Sequence, residues 1–165
     1  MDSQSRARIK LLVSFQPGLH LRELQRQIGL SFSSTRYHVD KLTSEGELDR
    51  VVDKGYSRIY PQGIDPKDRV LLSLIRRKTD HKILSFLLAE NSLTQRRLTE
   101  VSGLSKSTVS EHLATLLELE VVRTRAGGEQ RTFELAEPAK MNGLMNRHPF
   151  VLEKATRKFI HLWDF

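Results

Sequence analysis

The stretch "GLSFSSTRYHVDKL", residues 29–42, decides the fold, because the chain repeats its pattern further along as "GLSKSTVSEHLATL", residues 103–116. At a constant offset of 74 residues the two stretches share glycine, leucine, serine and histidine positions. The shared positions are Gly29/Gly103, Leu30/Leu104, Ser31/Ser105, Ser33/Ser107, His38/His112 and Leu42/Leu116. Self-similarity at a fixed period indicates that one structural unit occurs twice.

The segments that flank each stretch follow the same order. Before the first stretch, "SRARIKLLVSF" (5–15) and "HLRELQRQIGL" (20–30) have helical periodicity, with Ile9, Leu12, Val13 and Phe15 on the apolar face of the first. After it, "ELDRVVD" and "YSRIYP" alternate as the two strands of a hairpin with Lys54-Gly55 at its tip. The corresponding segments of the second unit are "TDHKILSFLLAEN" (79–91), "SLTQRRLTEVSGL" (92–104) and "VVRTRAGGEQRTFEL" (121–135).

Each unit is therefore predicted to contain three helices and a two-stranded hairpin. Ser31 and Ser105 are predicted to cap the third helices, Gly29 and Gly103 to end the second, and Asp80 or Thr79 to cap the first helix of the second unit. The inward positions of the third helices are predicted to be Thr35, Val39 and Leu42, then Val109, Leu113 and Leu116. A short helix, a glycine-containing turn and a second helix form a helix-turn-helix, and a trailing hairpin makes it winged.

The predicted fold class is thus mainly α with small β-hairpin wings (α+β), a tandem winged helix-turn-helix followed by a C-terminal helix. The predicted domains are residues 1–62, a connecting helix or linker at 63–79, residues 80–136, and a C-terminal helix within 137–165. The apolar side chains of "VLLSLI" in the linker are predicted to share one face through Val70, Leu71, Leu74 and Ile75. A near-heptad stripe in the C-terminal helix predicts dimerisation through Leu152, Ala155, Phe159, Leu162 and Trp163.

Composition narrows the class of partner. The 165 residues carry a formal net charge of +7, which favours polyanions such as nucleic acid. There is no cysteine, and no apolar run approaches the roughly 18 residues that a membrane span requires. A cytoplasmic, nucleoid-associated protein without membrane contact is the expectation. The sequence contains no glycine-rich phosphate loop, nucleophile elbow or metal-ligand spacing, so we expect no enzyme activity, cofactor or metal.

The outward faces of the third helices carry small and polar side chains, which suits entry into a major groove about 12 Å wide. These side chains are Ser33, Ser34, Arg36, Tyr37 and Lys41 in the first unit, and Lys106, Ser107, Ser110, Glu111 and Thr115 in the second. The matched histidines His38 and His112 suggest either a metal site or pH switch, or structural hydrogen-bonded residues at the seam between helix and wing. We favour the structural interpretation.

The stretch "GLSKSTVSEHLATLLELEVV" (103–122) resembles the recognition region of ArsR/MarR-type winged-helix transcription regulators, in which a T-V-S-x-H-L core recurs. The stretch "GLSFSSTRYHVDKLTSEGEL" (29–48), with "GYSRIYP" (55–61), is similar to the archaeal version of this domain. The arrangement of two such units before an aromatic C-terminal helix is similar to archaeal regulators that contain two winged-helix domains. The resemblance implies that the third helices read the major groove and that the wings touch the backbone or minor groove.

Carried onto this chain, the resemblance implies two sets of contacts. The reading positions are Ser33, Ser34, Arg36 and Tyr37, then Lys106, Ser107, Ser110 and Glu111. The wing contacts are Lys54, Tyr56 and Arg58, then Arg125, Gln130 and Arg131. Glu111 stands where such regulators often carry a basic or amide residue; a carboxylate there accepts a hydrogen bond from cytosine N4 and repels phosphate.

These patterns predict a sequence-specific regulator of transcription that binds double-stranded DNA as a homodimer. Two alternatives remain open. Winged helices also serve as protein-interaction scaffolds, and Glu111, Glu118 and Glu120 leave that role open for the second unit, together with a protein partner in the transcription machinery. A non-specific chromatin-type binder would show a steep salt dependence without sequence preference.

Overall fold

The computed structural model of the chain describes residues 2–53 and 55–148. They form two compact units, the first running to Ser73 and including Arg147 and the residue after it, the second running from Leu74 to Asn146. Both units are winged helix-turn-helix folds, so the predicted fold class is confirmed. Outside the described residues lie the wing-tip Lys54 and the predicted C-terminal stripe, namely Leu152, Ala155, Phe159, Leu162 and Trp163.

The first unit follows the predicted order, with the short strand β1 as an addition. Its elements are α1 (Asp2–Phe15), β1 (Leu19–His20), α2 (Leu21–Ile28), α3 (Phe32–Ser44), β2 (Leu48–Asp53), β3 (Tyr56–Pro61) and α4 (Pro66–Ile75). Gly29 ends α2 with a left-handed φ of 77°, a conformation that costs glycine no steric penalty. Ser31 then caps α3, where its Oγ accepts a hydrogen bond from the backbone N–H of Ser34 at 3.1 Å.

The core of the first unit joins three helices to the sheet. Fully buried apolar side chains from α1, α2, α3, β1 and β3 form it, including Ile9, Leu12, Val13, Leu19, Leu24, Val39, Leu42 and Ile59. The prediction that Phe15 shares the α1 face was wrong, since this side chain is 40% exposed. Two residues along a helix correspond to a rotation of about 200°, so Phe15 cannot lie on the same side as Val13.

The wing sheet has three strands in the order β1-β3-β2, so the prediction of a two-stranded hairpin was incomplete. The short strand β1 pairs antiparallel with β3 through Leu19↔Ile59 and His20↔Arg58. The turn before β1 favours glycine, because Gly18 has a φ of +88° and an added Cβ would lie 3.1 Å from the buried ring of Tyr60. Two paired residues are too few to produce an alternating pattern, which is why the sequence did not reveal the strand.

Helix α4 contacts the sheet through Arg69. Its Nη2 donates to Asp49 Oδ2 at 3.2 Å, and its guanidinium carbon lies 5.4 Å from the centre of the Tyr60 ring. Arg69 fixes which side of α4 faces the sheet, and Leu72, three residues on, is buried on that side. The prediction that Val70 shares one face with Leu71, Leu74 and Ile75 was therefore wrong, because Val70 is exposed while Leu74 and Ile75 are buried. The boundary between the two compact units falls inside this helix, after Ser73.

The second unit repeats the first element by element. Its elements are α5 (Lys78–Glu90), β4 (Leu93–Thr94), α6 (Gln95–Ser102), α7 (Lys106–Glu118), β5 (Val122–Arg125), β6 (Thr132–Leu135) and α8 (Pro138–Arg147). Its sheet has the matching order β4-β6-β5. Ser105 caps α7 as predicted, with its Oγ accepting from the backbone N–H of Thr108 at 3.1 Å. The core includes Val109, Leu113 and Leu116 on the inward face of α7.

Neither Asp80 nor Thr79 caps α5, so both predicted alternatives were wrong. The helix begins at Lys78, with Arg77 in the N-cap position. The Asp80 side chain is buried, 3% exposed, and its Oδ1 lies 2.6 Å from His112 Nδ1. A carboxylate can only accept, so Nδ1–H of the imidazole donates this hydrogen bond. His112 is thus hydrogen-bonded, as predicted, but to the first helix of its unit and not at the wing.

The matched His38 has no such carboxylate. The position that corresponds to Asp80 is Arg6. His38 is buried, and its Nδ1 has no hydrogen-bond partner within residues 2–53 and 55–148. Its ring packs edge-on against Tyr37 with 5.3 Å between ring centres. The matched histidines therefore make different contacts: His112 hydrogen-bonds to Asp80, and His38 packs against Tyr37.

Each unit ends with a helix that starts at proline, α4 at Pro66 and α8 at Pro138. Proline suits the first turn of a helix, where its missing N–H has no partner to lose. The repeat therefore extends past the wings, and α8 was not predicted as a helix separate from the C-terminal one. Within the part of the chain that the structure describes, no helix has the length and apolar character of a membrane span.

Candidate nucleic-acid interface

The exposed face of α3 is the centre of the candidate interface. Ser33, Arg36, Tyr37, Asp40 and Lys41 are three or four residues apart and all exposed, so they form one stripe along the helix. Tyr37 is the most exposed aromatic side chain of this helix, at 59%. The opposite face is fixed by fully buried side chains of the core described above. Packing therefore sets the rotation of α3 and holds the stripe outward.

Arginines and carboxylates alternate on this face. Arg36 Nε lies 3.8 Å from Asp40 Oδ2, and the wing-strand residue Arg50 places its Nη2 2.6 Å from Asp40 Oδ1. One turn later, Glu45 lies between Lys41 Nζ at 3.5 Å and Arg6 Nη1 at 3.4 Å. Each carboxylate thus faces two cations, and the surface keeps an excess of positive charge.

The start of α3 combines a cap with an aromatic side chain. The hydroxyl of Ser31 is occupied by the capping bond and by hydroxyl contacts with Ser33 and Ser34, at 3.2 Å and 2.9 Å. Phe32 is partly exposed, and the Arg22 guanidinium carbon lies 5.3 Å from its ring centre. This end of the helix presents backbone N–H groups and hydroxyls beside a cation, a combination that suits phosphate oxygens.

The wing of the first unit is partly aromatic and apolar. Tyr56 and Val52 are 66% and 70% exposed, and the Tyr56 ring packs edge-on against His20 at 5.4 Å. Arg58, a predicted wing contact, lies in mid-strand, where its Nη1 donates to the Gly18 carbonyl at 3.2 Å. Arg58 is therefore held against the sheet and away from the wing tip.

The second unit presents a different surface. The exposed face of α7 carries one cation, one carboxylate and small side chains, namely Lys106, Ser107, Ser110, Glu111, Ala114 and Thr115. Its wing tip, residues 126–130, is glycine-rich and exposed, and the wing loop from Thr124 to Arg131 lines a cavity of about 350 Å³.

Arginines surround that second wing. Arg123 Nε lies 2.7 Å from Glu134 Oε1, while Arg125 Nη1 lies 4.0 Å from Oε2 of the same carboxylate. The Arg131 guanidinium carbon lies 5.3 Å from the Phe133 ring centre. One carboxylate facing two guanidiniums leaves positive charge along the wing, so this wing suits phosphate contacts.

The structure brings the predicted reading positions of each unit onto one exposed helix face, except Ser34, which is half-buried with its hydroxyl against Ser31. Sequence reasoning missed Asp40 and Arg50 as members of the first face. Asp40 follows Arg36 by four residues, a spacing that pairs side chains on a helix and that was available as a signal. Arg50 had no such signal, because only the folded hairpin brings it to α3. In the described parts of the chain, no cluster of three histidine or acidic side chains is arranged to hold a metal ion.

The fold and these faces define the class of protein: a DNA-binding protein with two helix-turn-helix domains. Residues 3–72 match the family model described as an N-terminal HTH domain. Residues 76–123 match the model described as winged helix-turn-helix DNA-binding. Between them the two matches include α3 and α7 with their caps. No curated protein matches the chain.

Solved structures of bacterial proteins resemble parts of the chain. Reduced HlyU from Vibrio cholerae N16961 is 31% identical over 48% of this chain and 86% of its own, with a TM-score of 0.42. The transcriptional repressor BigR from Xylella fastidiosa is 24% identical over 46% and 80%, with a TM-score of 0.40. NolR from Sinorhizobium fredii is 22% identical over 55% and 99%, with a TM-score of 0.41. Since these scores are below 0.5, the class rests on the two family models.

Proposed function

We propose that the protein is a sequence-specific regulator of transcription that binds double-stranded DNA, with the first unit as its main reader. The observation that carries this proposal is the stripe on α3, where Ser33, Arg36, Tyr37 and Lys41 are exposed while the opposite helix face is locked into the core. A rigid helix that presents a guanidinium, an aromatic ring and small side chains suits base-edge contacts in a major groove.

The electrostatics of the chain support the docking step. The net charge of +7 attracts the phosphate backbone at long range. The cationic second wing and the capped start of α3 then offer groups for phosphate contacts, which position a protein without reading sequence. Base contacts from α3 supply the specificity in this proposal.

The second unit has a more mixed role in the proposal. Glu111 is exposed on the reading face of α7, where a carboxylate repels phosphate. We propose that this unit holds DNA mainly through its wing, with Arg125, Gln130 and Arg131. The exposed carboxylate of Glu111 favours one alternative, in which the second unit instead binds a protein of the transcription machinery.

Arg36→Ala is the test of the proposal. Removing this side chain is expected to cost about 1–3 kcal/mol of specific binding and to relax preference at one base position, since a bidentate arginine contact supplies discrimination of that size. The measurement is selection from a random duplex library, followed by titration of the selected site.

Arg96→Ala is the matched control, because this exposed arginine lies on α6 beside Glu100, in the second unit, and is not a member of the stripe. It is expected to lower binding to all duplexes slightly and equally. Retention of affinity and base preference by Arg36→Ala would reject its role. Binding that weakens steeply with salt and enriches no motif would identify a chromatin-type binder. Failure to retain any duplex at low salt would identify a protein-interaction scaffold.

Homodimerisation is proposed from the sequence pattern alone. The apolar stripe from Leu152 to Trp163 lies outside the described residues. Deletion of residues 149–165 is expected to convert a dimer into a monomer, because it removes the whole stripe. Light scattering measures the mass directly. The same oligomeric state with and without the segment would exclude it as the dimer seam.

The proposal also gives each predicted segment of the chain a role. Residues 1–62 and 80–136 act as the two DNA-contacting domains, 63–79 joins them, and 137–165 contributes the dimer contact. A protein working in this way is associated with the nucleoid in the cytoplasm. Imaging of a fluorescent fusion that filled the cell evenly, with no overlap with DNA stain, would count against it.

A further inference from the structure

Asp40 is an unusual residue for the middle of a DNA-reading face. It is exposed on the same stripe as Arg36, Tyr37 and Lys41, where an isolated carboxylate repels phosphate. It is not isolated, however. Both of its oxygens face arginines, Arg36 on the same helix and Arg50 on the neighbouring wing strand β2.

We propose that Asp40 is a positioning residue that orients Arg36 toward a guanine in the major groove. The inference rests on the proposed function and goes beyond it, because it names the base that is read and the side chain that aims its reader. In this arrangement Arg50 holds Asp40, Asp40 holds Arg36, and Arg36 contacts the base.

The atoms involved favour guanine. Asp40 Oδ2 faces the Nε edge of the Arg36 guanidinium, at 3.8 Å. The planar guanidinium presents its donors in a fixed fork, so a partner on the Nε edge leaves the two terminal nitrogens available. Guanine offers the matching pair of acceptors in the major groove, O6 and N7. A supported arginine also loses less rotamer freedom on binding than a mobile one.

Arg50 supports Asp40 through an ion pair. Its side chain is only 26% exposed, and its Nη2 lies 2.6 Å from Asp40 Oδ1. Because Arg50 stands in β2 opposite Ile59, which is fully buried, its backbone is fixed by the core of the unit. The second arginine also offsets the charge of the carboxylate, so the reading face tolerates Asp40 close to DNA.

The second unit lacks all three members of this arrangement. At the offset of 74 residues, the matched positions to Arg36, Asp40 and Arg50 are Ser110, Ala114 and Thr124. A group of charges that the fold required would be expected in both units. Its restriction to the first unit supports a role in recognition and assigns guanine reading to α3 alone.

Asp40→Ala tests the inference, with alanine chosen because α7 carries Ala114 at this position. The full chain is titrated against three duplexes in a salt series: the selected site, the same site with 7-deazaguanine at the preferred guanine, and an unrelated sequence. The wild type is expected to lose about tenfold in affinity on 7-deazaguanine, the size of one hydrogen bond to a charged group. Asp40→Ala is expected to lose less than about twofold, because its Arg36 is no longer aimed at N7.

Binding of Asp40→Ala to the unrelated duplex is expected to strengthen. A freed arginine that gains one phosphate contact makes the slope of log binding constant against log salt concentration steeper by about 0.9. At 0.1 M salt this corresponds to about eightfold tighter binding. Glu45→Ala is the matched control, since it removes an equal charge and frees Lys41 and Arg6 at the far end of α3. It is expected to strengthen non-specific binding similarly while it keeps the full 7-deazaguanine penalty.

The outcomes separate the inference from the function on which it rests. A wild type that selects no motif overturns both. A wild type that selects a motif without guanine, or an Asp40→Ala variant that keeps the full penalty, overturns the inference alone. Equal weakening on all three duplexes, with a lower melting temperature, would show that Asp40 only fastens the wing to α3 and would also overturn it.

Discussion

Leu42→Ala is expected to lower the free energy of unfolding by about 2–5 kcal/mol, the cost of deleting a fully buried leucine side chain. Leu42 is fully buried on the inward face of α3, in the core of the first unit. The cavity would remove the packing that sets the rotation of α3. Urea unfolding followed by circular dichroism measures the loss, and hydrogen exchange locates it in the first unit.

The repeat supplies the controls for Leu42→Ala. Leu116→Ala removes the matched side chain, also fully buried, and is expected to cost a similar amount with the exchange located in the second unit. Lys41→Ala changes the exposed neighbour and is expected to cost less than about 0.5 kcal/mol. A loss below about 1 kcal/mol for Leu42→Ala would contradict a well-packed core at this position.

His112→Leu is expected to destabilise the chain far more than His38→Leu, although the two histidines occupy matched positions. Leucine at 112 would leave the buried Asp80 carboxylate with Arg77 as its ion-pair partner among the described residues, and Arg77 Nη1 is 3.9 Å away. Breaking a buried pair by removing one partner costs about 3–5 kcal/mol, and partial exposure of His112 favours the lower end, about 3 kcal/mol. Leucine at 38 would instead remove a buried nitrogen that has no described partner. That change is expected to cost less than about 1 kcal/mol or to stabilise the chain.

The measurement is chemical unfolding of the two variants side by side. The double variant Asp80→Leu/His112→Leu is the informative control, because replacing both members of a buried pair with apolar residues is often neutral or stabilising. Recovery in the double variant assigns the cost of His112→Leu to the orphaned carboxylate. Equal losses for His38→Leu and His112→Leu would mean that the Asp80 contact contributes nothing of its own.

The sequence predicted the features that depend on residues close together in the chain. Gly29, Ser31 and Leu42 lie within fourteen residues and specify the end of α2, the cap of α3 and its buried face. Because this pattern occurs twice, it predicted the fold of both units. Periodicity of this kind is the strongest information that a single sequence carries about structure.

The features that were missed depend on pairs far apart in the chain. Asp80 and His112 are 32 residues apart, and a first-turn aspartate looks like a cap until its buried partner is known. Strands β1 and β4 have two residues each, and only the pairing with β3 and β6 makes them strands. In the candidate interface, the exposed face of α3 followed from helical spacing, whereas the Arg50–Asp40 contact needed the folded wing.

The order of the two sheets along the chain has a consequence for its folding during synthesis. All strands of the first sheet lie before residue 62, and the strands of the second sheet follow from Leu93 to Leu135. At a synthesis rate of about 5–20 residues per second, the ribosome needs several seconds to add the second sheet, whereas mixed α/β domains of this size fold well within a second. The first sheet can therefore close before the similar strands β4, β5 and β6 exist. Vectorial synthesis thus protects two related repeats from exchanging strands, and refolding of the complete chain from denaturant lacks that protection.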